Sequence, residues 1–297
     1  MKYLEPSLQQ LRLLLAISEH KGLVRAARRM RLSQSAASHA LAALEKNVGI
    51  ALVTRNRGTL QLTETGTRLL PHVRQISTSI NAIRAEISAV SGLQTGSLRL
   101  ASVPSLASAI LPQLMNEFSS RFPCIEITMF EGADPEVVEW VRTHVADVGY
   151  ATLPVPDVVD AQELSHDEWV ALVPASFRQY RTVTLKFLSQ ERFFMPGTGG
   201  EPHIRELFRG AKLTLEVPIR IREVSTIHAM IAQRLGVSIL PSLAVQKCDG
   251  VRAVPLSPRQ PRYFGQLLPR DAPPSPALTA WAAIVDKAFK TQRKPTA

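Results

Sequence analysis

The chain lacks most of the features that mark a secreted, metal-bound or membrane-inserted protein. Its 297 residues include two cysteines, Cys124 and Cys248. They lie far apart with no metal-ligand spacing around either, so neither a disulfide framework nor a zinc site is expected, and reduced thiols in a reducing cytosol fit better. No apolar run reaches the roughly 18 residues of a membrane span. Leu11 to Ile17 comes nearest to a signal peptide, but Glu5, Arg12 and Glu19 interrupt it and no small-residue cleavage site follows. A cytoplasmic chain without a membrane partner is expected. Catalytic signatures are missing as well. The seven histidines form no His-x-x-x-His pair, and there is no Gly-x-Ser-x-Gly elbow or Gly-x-x-x-x-Gly-Lys phosphate loop. Acidic pairs such as Asp167-Glu168 fall in expected loops. No metal, cofactor or catalytic set is therefore expected.

What the sequence does have is an uneven charge. The formal net charge is +10, and residues 1–92 carry 13 Lys and Arg against 5 Asp and Glu, whereas residues 93–297 carry 22 against 20. A basic module joined to a nearly neutral one is the electrostatic layout of a nucleic-acid binder with a second function. The length suits two or three units rather than one.

Within the basic third, Leu8, Leu11, Leu14 and Leu15 recur at helical spacing after Ser7, a suitable N-cap. Gly22 ends that pattern, and Val24 to Met30 reads as a short helix whose Ala26 and Ala27 allow close approach of a neighbour. Ser33 then caps a third helix running to about Lys46. On it Ala37, Ala40, Leu41 and Leu44 face inward, while Gln34, Ser35, Ser38 and His39 share the opposite face. A solvated helix face is the ordinary reading of such a pattern. Two details favour major-groove readout instead: the face holds no acid to repel phosphate, and Arg25, Arg28, Arg29 and Arg31 precede it. Leu52 to Leu62 reads as a β-hairpin with its turn at Asn56 to Gly58, and Arg55 and Arg57 near its tip suit backbone phosphates. The DNA-contacting set is thus Arg31, Ser33, Gln34, Ser35, Ser38, His39, Arg55 and Arg57.

Ala26-Ala27, Leu32-Ser-Gln-Ser-Ala-Ala-Ser38, Leu44-Glu45, Gly49, Leu52, Arg55 and Leu62-Thr-Glu-Thr-Gly66 together resemble the N-terminal signature of LysR-type transcriptional regulators. Leu14 and Val53 stand where that family usually has Phe, and Leu23-Val24 replaces its usual Ser-Phe. The resemblance implies a winged helix-turn-helix that grips a palindromic double-stranded operator as a homodimer or homotetramer, bends DNA, and has RNA polymerase as a further candidate partner.

Beyond it, Leu69, Val73, Ile76, Ile80, Ile83, Ile87 and Val90 recur at spacings of 4, 3, 4, 3, 4 and 3. That is a coiled-coil seam, with Val73, Ile76, Ile80, Ile83 and Ile87 as dimerisation residues; a helix buried on its own domain is the alternative. Pro71 should bend this helix or mark its start, and Gly92 and Gly96 end it. In the family the segment is the linker helix that pairs subunits.

After Gly96 strands and helices alternate: a strand at Ser97 to Val103, a helix over Ser105 to Arg121, a strand at Ile125 to Phe130, a helix from Asp134 and a strand at Asp147 to Ala151. A second series starts near Trp169 to Val173, with later strands at Glu216 to Arg222 and Tyr263 to Leu268, and a closing helix at Pro276 to Lys290. Such alternation implies two α/β lobes with a cleft between them. The fold class is therefore an all-α winged helix-turn-helix domain (1–66), a long linker helix (67–92) and a two-lobed α/β domain (93–297). Lobe I takes about 93–160 and 264–297, and lobe II about 161–263. The second domain resembles the family's periplasmic-binding-protein-like effector domain.

Strand ends and helix starts would line the cleft with Ser102, Ser105, Gly132, Ala133, Gly197, Thr198, Ser225 and Thr226. Each hydroxyl taken singly serves as a helix cap; their convergence points to a small organic anion as effector. In the family a Ser or Thr at the position of Ser105 often contacts effector, whereas Ala133 replaces a frequent contacting Thr. Hydroxyls without a general base argue for binding rather than turnover. The competing readings are a solute-binding or transferase-like domain with a chance basic N-terminus, and an architectural DNA protein without ligand.

Overall fold

A reciprocal cap starts the chain's first helix, α1 (Leu8–His20): the Ser7 Oγ accepts from the Gln10 N–H at 3.3 Å and the Gln10 side chain accepts from the Ser7 N–H at 2.9 Å. The computed structural model describes residues 5–20, 22–30, 32–56, 59–90, 96–197, 199–217, 219–270 and 274–290. These residues fall into two compact units, one over Met1–Ile87 with Thr143–Val145 and one over the remainder from Ser88.

In the first unit, α2 (Leu23–Arg29) and α3 (Gln34–Val48) pack on α1 through Leu13, Ile17, Ala26, Ala27, Ala37 and Leu41. The alanines matter because small side chains let the helix axes approach closely. Ser33 caps α3, its Oγ accepting from Ala36 N–H at 3.1 Å, and Gly49 ends the helix in the left-handed region at φ 72°. Strands β1 (Val53–Asn56) and β2 (Thr59–Leu62) form the antiparallel wing. Glu45 ties α3 to that wing: its Oε1 accepts from the N–H groups of Leu52 and Val53 at 2.7 and 3.1 Å.

The long helix α4 (Glu64–Val90) begins beneath a Thr63 cap, with Gly66 N–H donating to the Thr63 Oγ1 at 3.0 Å. A Cβ on Gly66 would stand 2.2 Å from the Leu52 carbonyl oxygen, so only glycine lets the helix start this close to the wing. Pro71 lies inside α4 and does not mark its start; the cap at Thr63 sets that, one turn before the apolar seam.

The second unit runs β3 (Gly96–Ser102), α5 (Pro104–Ala109), α6 (Leu111–Arg121), β4 (Ile125–Glu131), α7 (Asp134–Arg142), β5 (Val148–Thr152) and β6 (Asp160–Pro174). It continues with α8 (Leu185–Gln190), β7 (Phe194–Pro196), α9 (Glu201–Gly210), β8 (Ile219–Ile221), α10 (Val224–Ala232), β9 (Ser238–Pro241), β10 (Val251–Leu268) and α11 (Pro276–Lys290). Six strands form one sheet in the order β4-β3-β5-β10-β6-β9, and β7 pairs with β8. Strands β3, β4 and β5 run parallel, whereas β10 is antiparallel to both β5 and β6.

Strands β6 and β10 are much longer than their apolar stretches suggest, because they carry the sheet through both lobes. Their pairing slips between Pro255 and Gln260, opposite Val170 and Trp169. On one side of that break lies a core of Leu98, Phe118, Val141, Tyr150, Leu267 and Trp281; on the other lie Val173, Leu188, Phe193, Ile204 and Phe208. Trp281 donates to the Tyr150 hydroxyl at 2.6 Å, and burial pushes the Tyr150 phenol up, so it stays neutral. The helix expected over Ser105 to Arg121 is two helices: Ile110 (φ −115°, ψ −51°) separates α5 from α6, where Pro112 lacks the N–H that would continue the ladder.

Candidate functional site

Three features follow from this placement, and the first is the polar face of α3. Gln34, Ser35 and His39 are exposed and Ser38 is half-buried, while Ala37, Leu41 and Leu44 on the other side are buried. Ser33 is occupied as the cap, and its hydroxyl also lies 3.0 Å from that of Ser35; Gln34, Ser38 and His39 complete the polar face. Arg28 and Arg29 are exposed at the end of α2. Arg55 lies on β1, with its backbone paired to Leu60, and Arg31 and Arg57 lie outside the described residues.

The second feature is the seam on α4, which divides along its length. Leu70 and Val73 are buried among Leu14, Leu44 and Leu52, so Val73 serves the core of its own unit. Ile80 is half-buried, whereas Ile76, Ile83 and Ile87 are 40%, 59% and 62% exposed. An exposed isoleucine row on an otherwise polar helix is a surface suited to a second helix.

The third is the cleft between the two lobes of the second unit, which has two connected chambers. The outer one, about 800 Å³, is bordered by Ser105, Gly132, Ala133, Gly197 and Ser225 together with Trp140 and Arg222. The inner one, about 40 Å³, is bordered by Val103, Ser105, Asp134, Trp169, Gly199 and Arg262 among others. Ser105 belongs to both. Ser102 borders neither: it is fully buried and donates to the Val103 carbonyl at 3.0 Å. Thr226 is exposed on α10 and borders neither chamber. Thr198 lies outside the described residues.

Arg262, which no local sequence signal marks, borders the inner chamber and is heavily engaged. Its side chain is 2% exposed. Its Nε donates to Asp167 Oδ1 at 2.6 Å and its Nη1 to the Ser105 hydroxyl at 2.9 Å. The guanidinium carbon lies 5.8 Å from the Trp169 ring and 6.0 Å from that of Phe264, a cation–π arrangement that partly replaces hydration. Asp167 in turn accepts from Leu243 N–H at 3.0 Å and from the Ser242 hydroxyl at 3.3 Å. Ser105 therefore offers Arg262 one lone pair and keeps its O–H to donate. One group remains unsatisfied: Arg262 Nη2 has no hydrogen-bond partner among the described residues. A buried unpaired donor costs about 1–3 kcal/mol, more when charged, so this guanidinium is held at some cost to stability.

The far wall of the inner chamber closes tightly. A Cβ on Gly199 (φ 96°) would stand 3.0 Å from both Cα and Cβ of Ala133. Glycine at 199 therefore has two physical reasons, the left-handed backbone and the close approach to Ala133. Asp134 Oδ1 accepts from Thr152 N–H at 2.7 Å, and Oδ2 stands 3.6 Å from His203 Nε2 across the cleft. Among the described residues no group of His, Cys, Asp and Glu is arranged to hold a metal, and no helix is long and apolar enough to cross a membrane.

Comparison with known proteins agrees with both halves of this description. Residues 8–67 match the model for bacterial regulatory helix-turn-helix proteins of the lysR family, and residues 91–290 match the LysR substrate binding domain. The chain is 34% identical to the probable HTH-type transcriptional regulator LrrA of Synechococcus elongatus over 85% of this chain and 84% of that one. In fold it is similar to a full-length OxyR variant from Pseudomonas aeruginosa, with TM-score 0.75 and 20% identity, covering 95% of this chain and 98% of that one. It is also similar to full-length CbnR in complex with its target DNA, with TM-score 0.65 and 19% identity over 95% and 99% of the two chains.

Proposed function

Because the chain belongs to the LysR family of bacterial transcriptional regulators, we propose that it reads a specific operator with α3 and adjusts that grip when a small organic anion enters the cleft of its second unit. It does so in the cytoplasm as a homo-oligomer paired through α4, and its output reaches transcription through RNA polymerase. The observation that supports the effector half is the two-chambered cleft, with Ser105 bordering both chambers and the buried Arg262 bordering the inner one. Coupling needs only that the anion bind one arrangement of the assembly better than another.

Operator selection from randomised DNA tests the reading. Bound sequences should converge on a palindrome, and log affinity should fall with log salt at a slope of about −0.9 per phosphate neutralised. Gln34→Ala should lose about 1–3 kcal/mol of base discrimination at one position of each half-site. A uniform loss across all sequences would reduce the α3 face to a backbone contact. Among small molecules that shift operator affinity, organic acids are expected; a response confined to neutral or cationic compounds would overturn the anionic assignment.

A further inference from the structure

Resting on that reading, we infer what α3 selects in each half-site: a purine with a thymine within two base pairs on either side. The His39 imidazole donates to the purine N7, and alanine methyls pack on the thymine methyls. On a helix surface a side chain's neighbours stand three and four residues away in each direction. Around His39 these are Ser35, Ala36, Ala42 and Ala43, and all four are exposed, as His39 is. The imidazole therefore rises alone from a platform of small side chains. Among the described residues it has no hydrogen-bond or ion-pair partner. Lys46, exposed one turn further on, is the next large group on this face. The one acid of α3, Glu45, is turned to the wing, where its Oε1 accepts from the Leu52 and Val53 N–H groups.

The helix itself does not need so bare a face. Lys, Arg, Gln and Glu serve an exposed helical position nearly as well as alanine, and a cation at 42 or 43 would add attraction to phosphate. Long side chains there would also hold the backbone away from the base edges. Small ones let the helix lie deep in the major groove, where thymine alone presents a methyl group and every purine presents N7 as an acceptor. A neutral imidazole carries one N–H donor, enough for N7 and too little for a bidentate pattern. The dimensions agree. Ala36, His39 and Ala43 are spaced by about 4.5 and about 6 Å along the axis, at about 1.5 Å per residue. Successive bases of a strand are about 3.4 Å apart, so the three groups address base pairs one or two steps from one another.

Base analogues in the operator selected by the full chain test this, because each deletes one group. Deoxyuridine in place of thymine removes only the methyl, and a 7-deazapurine removes only N7. Deoxyuridine at the flanking positions should weaken binding by about fourfold per methyl, the factor for one buried carbon. The 7-deazapurine should weaken it by about fivefold per half-site, the net worth of one hydrogen bond. His39→Ala should lose the N7 effect and keep both methyl effects, whereas Ala43→Ser, nearly the same size, should lose one methyl effect. Ala43→Lys is the sharpest variant: it keeps helix propensity and adds a positive charge, which would tighten binding at a face turned to phosphate. In a closely seated helix the same change overfills the contact and should weaken binding by at least about tenfold. Deoxyuridine tolerated at every position, an N7 effect undiminished in His39→Ala, or Ala43→Lys binding as tightly as the parent would each overturn the inference. A chain that selects an operator yet gives these results loses this inference alone, whereas a chain that selects no operator loses the reading beneath it.

Discussion

Asp167→Ala is expected to destabilise the second unit by about 3–5 kcal/mol, the usual cost of leaving one partner of a buried ion pair uncompensated. Asp167 and Arg262 are directly paired across β6 and β10, with side chains 6% and 2% exposed. Removing the carboxylate strands the guanidinium and also unbinds the Leu243 N–H and the Ser242 hydroxyl, which hold the short 3₁₀ turn Ser242–Ala244 against β6. All three tryptophans, Trp140, Trp169 and Trp281, lie in this unit, so denaturant unfolding followed by tryptophan emission reports on it selectively. The paired Arg262→Gln and Asp167→Asn variant should be far closer to the parent, since no lone charge is left in the interior. A loss under about 1 kcal/mol for Asp167→Ala, the range of exposed pairs, would show that water reaches the pair and that the inner chamber is not closed.

How much of this was legible in the sequence follows from how local each signal is. The α3 face could be read because inward and outward positions alternate with helical period inside fifteen residues, and its cap and terminal glycine are neighbours in the chain. Helix α11 begins at a proline and spans Pro276–Lys290 as its pattern predicts. Strand β6 was legible only where both faces are buried. The stretch Asp160 to Glu168 is mostly polar and reads as loop, yet it pairs with β10 on both sides of a register shift at Leu164. For that reason Asp167 reads as a loop acid, and nothing local marks Arg262. They are separated by 95 positions in the chain, and nothing near either one signals the other. Ser105 illustrates a different limit: its position at the cleft follows from the strand-to-helix pattern, but its bond from Arg262, a partner 157 residues away, does not. At Ala133 the pattern shows only that a hydroxyl is absent; its nearness to Gly199, where an added Cβ would stand 3.0 Å from it, joins distant parts of the chain.

Ile83→Asp should reduce operator affinity by about 10²–10⁴-fold, the factor gained when two linked sites bind together rather than singly, while leaving each helix-turn-helix folded. The expectation rests on where the α4 seam is and is not buried. Leu70 and Val73 belong to the core with Leu14, Leu44 and Leu52, so charging them would unfold the reading head itself. Ile83 is 59% exposed on a helix of 27 residues and lies ten residues beyond Val73, so a charge there does not disturb that core. In a paired coiled coil the same position would be enclosed, and an unpartnered carboxylate in the seam is strongly disfavoured. Sedimentation should therefore show a smaller species, with thermal unfolding of the first unit little changed. The residual DNA binding should keep the base preference of one half-site and lose the dependence on half-site spacing, because a lone reading head cannot sense its partner's distance. An Ile83→Asp chain that keeps the parent's mass in solution and its operator affinity would place the subunit interface elsewhere on the molecule.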